Sequence, residues 1–176
     1  RDGARKSGWG LVIDEPAESD TVPTLIRNPR WLKPIEAVFE LIGILPGYRE
    51  IDVSLWFLLF FSLFFAMLVG DAGYGAIFLG LTLWAQWRFP EVSANAFSLL
   101  KITSIATIVW GVLTGTYFGI ADLPAPLTAL KLTWLGDEEH IKDLCFWIAA
   151  IHLSIAHVWN IVNLIRTPQA LAQVGW

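Results

Sequence analysis

The segment AMLVGDAGYG (66–75) places groups capable of chemistry inside the most apolar part of the chain. A phosphate-binding loop is disfavoured, because the segment lacks a Lys-Ser/Thr pair, the GxGxxG spacing and a preceding strand. A carboxylate inside a membrane is by default a candidate ion carrier. Asp71 can equally cap the helix that AGYGAIF predicts, by accepting free backbone N–H groups at its start. We favour the cap and turn. The residues of this predicted structural motif are Gly70, Asp71, Gly73, Tyr74 and Gly75.

A second set of polar side chains lies in the apolar segment LCFWIAAIHLSIAHVWNIVNLI (144–165). His152, Asn160 and Asn163 share one helical face with two alanines. A polar stripe in a membrane helix normally faces protein or water. His152 could relay protons, since histidine titrates near neutral pH. The alternative, which we favour, is hydrogen bonding between helices.

Small residues recur at every fourth position in two further apolar segments, and this pattern is typical of helices that pack closely in lipid. We predict contact between these segments or with helices outside this chain, and a small-residue face against a moving partner is the alternative. The residues are Thr103, Thr107, Gly111, Gly115 and Gly119 in one segment, and Ala72, Ala76 and Gly80 in the other.

Composition assigns the chain to the membrane proteins. It has 176 residues, of which 55% are hydrophobic and 16% charged, against about 25% charged in a soluble domain. The net charge of −4 argues against nucleic acid as a partner. The single cysteine, Cys145, excludes an intrachain disulfide, and three histidines at these spacings do not form a metal site. We predict no catalytic residue, cofactor or metal, and expect a piece of a longer protein.

The lengths of the apolar segments, compared with the thickness of a membrane, predict an all-α polytopic membrane protein. A single helix over 55–89 would be roughly 52 Å long, whereas the hydrocarbon core is about 30 Å thick. Two short helices, 55–69 and 72–87, would form a helical hairpin that turns at Gly70-Asp71. With 102–120 and 144–165 they make four transmembrane helices, and together form a membrane domain fragment over 55–166.

A small cytoplasmic lead-in, residues 1–54, precedes these helices. It contains a candidate strand at 8–13, an acidic linker at 14–20 and an amphipathic helix near 34–43. Pro34 and Gly43 mark the limits of that helix, and its apolar face is formed by Ile35, Val38, Phe39 and Ile42. That helix either packs on a missing cytosolic domain or lies at the membrane interface. Ten of the twelve Lys and Arg residues fall on one predicted side, so the positive-inside rule places both ends in the cytoplasm. Residues 167–176 would be a cytoplasmic tail or loop.

Several motifs together resemble the start of the membrane domain of the a/I subunit of V-type and A-type rotary ATPases, over about residues 20–165. They are Asn28-Pro29, YREID (48–52), the phenylalanine-rich run 57–65, GDAGYG (70–75), WGVLTGTYFG (110–119) and IHLSIAHVWNIVNLI (151–165).

The resemblance implies a non-catalytic stator segment, with ATP bound by other subunits. The implied role is support of proton or sodium translocation, and the implied partners are membrane lipid, other helices of the same subunit, the rotor ring of c/K subunits and the peripheral-stalk subunits. In the family a buried arginine works against the rotor carboxylate, and no residue here matches it. Two alternatives stay open: a stand-alone four-helix transporter or channel using Asp71, His152 and Asn160, and a membrane anchor without transport.

Overall fold

The computed structural model describes residues 2–12, 27–43 and 52–175, together with residues 15, 17 and 22. Within these ranges every regular element is helical. The α-helices are α1 (Asp2–Ser7), α2 (Glu36–Ile42), α3 (Ser54–Val69), α4 (Ala72–Arg88), α5 (Ala94–Thr114), α6 (Ala125–Thr128), α7 (Glu138–Leu164) and α8 (Gln169–Ala172), and 3₁₀ turns cover Lys33–Ile35, Thr133–Gly136 and Gln173–Gly175.

Two sequence predictions concern the first part of the lead-in, a strand at 8–13 and an acidic linker at 14–20. The strand at 8–13 is wrong over residues 8–12, where α1 ends in a turn at Gly8 (φ +67°) and irregular backbone follows. A strand needs a partner for its backbone groups, and in the described residues none pairs with this one. Most of the acidic linker at 14–20 and the first four residues of YREID lie outside the described residues.

Helix α5 is the centre of the fold and packs between α3 and α4. It runs parallel to α3, because Leu58 clusters with Leu99 near both helix starts, while Ala66 clusters with Trp110 near both ends. It runs antiparallel to α4: Lys101 Nζ donates to Gln86 Oε1 at 3.2 Å. One apolar helix therefore covers the inner faces of both preceding helices.

The chain reverses between α3 and α4 at Gly70-Asp71, as the sequence predicts. Gly70 adopts the left-handed conformation (φ +67°) that ends α3, and Asp71 is extended (φ −139°) before α4 begins. The bend is 120°, so the two arms splay instead of closing into a tight hairpin. Helix α5 packs against both arms.

Helices α5 and α7 are each long and apolar enough to cross a membrane, and the bent pair α3–α4 passes the same test when its arms are taken together. The helix predicted at 102–120 is shifted in the structure, since α5 begins at Ala94 and ends at Thr114. Gly115 ends it with φ +72°. The helix predicted at 144–165 begins earlier, at Glu138, because Asp137 caps it through the Glu139 N–H.

Helix α7 lies along α3 in the antiparallel sense. Near its start, Leu144 packs on the cluster of Ala66 and Trp110. Further along, the His152 ring stacks on Phe60 with centroids 4.2 Å apart. No residue of α7 is buried, so this helix presents much of its apolar surface outward.

Helix α2 packs on the first turns of α3 and α5. Ile35, Val38 and Phe39, three members of the predicted apolar face, are buried with Leu58, whereas the fourth, Ile42, is exposed. The Phe39 and Phe57 rings meet edge to face at 5.1 Å. The lead-in is thus joined to the apolar helices of this chain itself.

Candidate functional site: the buried junction at GDAGYG

The GDAGYG segment forms the junction of three helices. Gly70 donates its N–H to the Ala66 carbonyl at 2.8 Å and closes α3. Asp71 follows with only 5% of its surface exposed. Its backbone is extended and its side chain caps α4. This is the capping arrangement favoured from the sequence.

The cap gives the N–H groups at the start of α4 their partners. Asp71 Oδ1 accepts from Gly73 at 2.7 Å and from Tyr74 at 3.1 Å. The N–H of Ala72 donates across the junction to the Thr116 carbonyl at 3.0 Å. Gly75 donates to the Asp71 carbonyl at 3.0 Å and starts the regular helical ladder. The carboxylate is therefore engaged in holding backbone, which is a structural use of its charge.

The end of α5 supplies the other half of the junction. Thr116 N–H donates to the Gly111 carbonyl at 2.8 Å, and Thr114 Oγ1 lies 3.1 Å from Thr116 Oγ1. The negative end of the α5 dipole consequently lies beside the positive end of α4. Opposite ends of two helix dipoles attract each other, and burial strengthens that attraction.

Glycines permit the close approach at this junction. A Cβ added to Gly111 would collide with the backbone of Ala72, and one added to Gly75 would lie 2.8 Å from the Ile108 nitrogen. A Cβ on Gly73 would overlap the Phe118 ring. Phe118 itself has φ +53°, a conformation uncommon for a bulky residue. The backbones here are in direct contact.

The structure corrects part of the predicted small-residue pattern. Thr103, Thr107 and Gly111 are buried on α5. Gly119 lies beyond the helix, and in the described part of the chain nothing lies within 4 Å of an added Cβ. Its contact with another helix stays a prediction. Gly115 is the C-cap of α5, and an added Cβ would meet the Lys131 side chain instead of a transmembrane helix.

On α4 the predicted face is also displaced. Ala72 is buried as expected, but Ala76 and Gly80 are exposed. The buried residues of α4 are Ala72, Gly73, Gly75 and Thr82. Because the buried face follows steps of three and seven, from Ala72 to Gly75 and from Gly75 to Thr82, a strict four-residue repeat does not describe the face that meets α5.

The predicted polar stripe on α7 is brought together only in part. His152 and Asn160 line one cavity of 260 Å³ together with Asp52. Asn163 is exposed and does not line that cavity. Asp71 lies at the opposite end of α3 from Asp52, so Asp71, His152 and Asn160 do not form one cluster.

A second buried polar cluster joins the lead-in to the apolar helices. Asn28, 7% exposed, donates through Nδ2 to Glu36 Oε1 at 3.2 Å and to Ser54 Oγ at 3.3 Å. Asn95 Nδ2 donates to Glu36 Oε2 at 3.2 Å. Sequence reasoning used Asn28 only as part of a motif and missed its partners. The sequence feature that could have indicated these partners was Glu36, an acidic residue next to the apolar face of α2.

In the described part of the chain no three His, Cys, Asp or Glu side chains lie close enough to hold a metal ion. What the helices and the junction define is a helical membrane protein whose apolar helices pack around a buried polar turn.

The particular family follows from comparison with known proteins. The chain is 32% identical to V-type ATP synthase subunit I of Borreliella burgdorferi over 97% of its length. It is also 32% identical to V-type ATP synthase subunit I 1 of Treponema pallidum over 98%. A-type ATP synthase subunit I of Methanocaldococcus jannaschii is 35% identical over 64% of the chain and is covered over 17% of its own length. No family model matches. The chain belongs to the V-type and A-type ATP synthase subunit I family, and it spans about 30% of the length of the first two relatives.

Proposed function

We propose that this chain is the N-terminal part of the membrane domain of a rotary ATPase stator subunit. Helices α3, α4, α5 and α7 would each cross the membrane, so that both ends of the chain face the cytoplasm. The similarity to subunit I over nearly the whole chain carries this proposal.

The direction of the helices supports four crossings. The start of α3, the end of α4, the start of α5 and the end of α7 share one end of the bundle, as the packing of α5 and α7 on α3 requires. Arg88, Lys101 and Arg166 lie at this end. The opposite end carries Lys131 and Lys142 as well as Asp71 and the acidic start of α7 at 137–139. With the seven Lys and Arg residues of the lead-in counted, the excess of Lys and Arg at the first end is the one expected of a cytoplasmic end.

The role we assign is to hold and position the helices that form the ion path, and so to support proton or sodium translocation coupled to ATP hydrolysis or synthesis by other subunits. The rotor ring and the peripheral stalks would be its partners in the complex. The junction at Asp71 supports a scaffolding role, because its carboxylate and backbone groups bond to each other. Buried, satisfied polar networks rigidify a fold.

Cysteine accessibility in the full-length subunit tests the crossings by α5 and α7. In a background from which Cys145 and every other cysteine of the full-length subunit have been removed, single cysteines are introduced as Glu91→Cys, Asp122→Cys and Thr167→Cys, and an impermeant thiol reagent is added to sealed vesicles of each orientation. We expect labelling of positions 91 and 167 from the cytoplasmic side and of position 122 from the other side. Labelling of positions 91 and 122 from the same side would contradict a crossing by α5. The cysteine-free variant controls for background.

A further inference from the structure

A cavity separates the start of α3 from the second half of α7. It measures 260 Å³ and lies at the end of the bundle that we propose to be cytoplasmic. Aromatic residues form part of its walls: Trp56, Phe57 and Trp159 line it together with His152. Tryptophan is typical of the level where hydrocarbon gives way to head groups.

One carboxylate faces this aromatic cavity. Asp52 lines it, and no Lys or Arg among the described residues does. Asp52 Oδ1 accepts the N–H of Ser54 at 2.9 Å, which fixes the side chain at the start of α3. The amide of Asn160 adds a neutral polar group to the same wall. A carboxylate beside aromatic faces is suited to a cation, and above all to an ammonium group.

An apolar groove along α3 adjoins the cavity. This groove measures 370 Å³ and shares Phe57 and His152 with the first cavity. Phe60, Phe64 and Leu68 extend its floor towards the far end of α3. From Phe57 to Leu68 the helix rises roughly 16 Å, which is about half of a 30 Å hydrocarbon core. The groove is thus as long as one leaflet is thick.

We propose that the two cavities form one binding site for a phospholipid with a primary ammonium head group, of the phosphatidylethanolamine type. The ammonium would lie against Asp52 and Trp159, and one acyl chain would follow the phenylalanine floor of the groove. The Asp52 carboxylate and the aromatic walls of the cavity select the ammonium head group. The length and direction of the groove suit an acyl chain. The inference rests on the membrane placement proposed above, which the cysteine experiment tests separately.

Native mass spectrometry of the full-length subunit in detergent tests this site. Phosphatidylethanolamine and phosphatidylglycerol with identical acyl chains are added in turn, and the retained lipid is counted. We expect one phosphatidylethanolamine to be retained at several-fold lower concentration than phosphatidylglycerol. Asp52→Asn keeps the acceptor for Ser54 but loses the charge, and should weaken retention about threefold to tenfold.

The chain offers matched controls. Asp137 Oδ1 accepts the Glu139 N–H at 2.9 Å, as Asp52 does for Ser54, but lies at the other end of the bundle, so Asp137→Asn should leave retention unchanged. Trp159→Leu should weaken retention, whereas Trp147→Leu, which removes an exposed tryptophan from the same helix, should not. Equal retention of both lipids, or retention unaffected by Asp52→Asn, would overturn the proposal. So would the absence of retained lipid, because another helix of the subunit then fills the groove.

Discussion

Gly111 of α5 lies in direct contact with the backbone of Ala72 at the first turn of α4. The contact leaves no room for a side chain between the two helices. It also brings the Ala72 N–H within 3.0 Å of the Thr116 carbonyl, so a backbone hydrogen bond links the two helices where they meet. The close approach and the hydrogen bond therefore depend on the same glycine.

Gly111→Ala should destabilise the subunit by about 1–3 kcal/mol, because the new methyl group forces the two backbones apart. Gly80→Ala is the matched control, since Gly80 is also helical and has nothing within 4 Å of an added Cβ. It should stabilise by up to about 1 kcal/mol through helix propensity. Unfolding titrations of the full-length subunit in detergent measure both. Equal effects at the two positions would show that the close contact is not what constrains Gly111.

Asp71→Ala should cost about 0.5–2 kcal/mol of stability, because two N–H groups of α4 lose their acceptor. Asp71→Asn should cost much less, since an asparagine side chain caps helices comparably well. The charge itself is not required by a cap, so ATP-driven ion transport by the assembled complex should survive Asp71→Asn. Transport assays in vesicles check this. Loss of transport in a fully assembled Asp71→Asn complex would instead favour the ion-carrier hypothesis.

Glu36→Ala should destabilise the contact between the lead-in and the apolar helices by about 1–3 kcal/mol, because Asn28 is buried and both Asn28 and Asn95 lose a charged acceptor. Glu40→Ala is the control on the same helix, since Glu40 is exposed. It should stay within about 0.5 kcal/mol of the parent. Limited proteolysis of the lead-in and thermal unfolding report the difference. A comparable effect of both substitutions would contradict a specific role for the Glu36 carboxylate.

The sequence was sufficient to predict the helices, the reversal at Gly70-Asp71 and the amphipathic helix before them. The lengths of the uncharged apolar segments indicate how many apolar helices the chain forms. Pro34 and Gly43 mark the limits of the lead-in helix. Helix ends were less predictable. Polar residues such as Asn95 and Glu139 continue helices beyond the apolar segment, because backbone hydrogen bonding does not stop where hydropathy falls.

The contacts between helices could not be predicted from spacing alone. A four-residue repeat is satisfied by several faces of one helix, and α4 uses Gly75 and Thr82 where the repeat indicated Ala76 and Gly80. The partners in this polar cluster were missed for a similar reason, because Asn28 and Ser54 are 26 positions apart and Glu36 and Asn95 are 59 positions apart. Only the packing of α2 on α3 and α5 brings them together.

The remaining prediction concerns His152. Its ring centroid lies 4.2 Å from that of Phe60, on which it stacks, and 6.0 Å from that of Phe64. His152→Phe keeps an aromatic ring in this position and removes the titratable group. If His152 serves packing, the variant should retain stability and transport, whereas His152→Ala should lose about 0.5–1.5 kcal/mol from the lost ring contact alone.

Removal of another stacked histidine gives the comparison for this experiment. His140 stacks on Trp134 at 5.0 Å near the start of α7, far from Phe60, and His140→Phe should likewise leave transport intact. Transport rates across pH 6–8 separate the two hypotheses for His152, because a relay group would impose its own titration on the rate. A loss of transport in His152→Phe, with normal assembly and with His140→Phe unaffected, would establish His152 as part of a proton path.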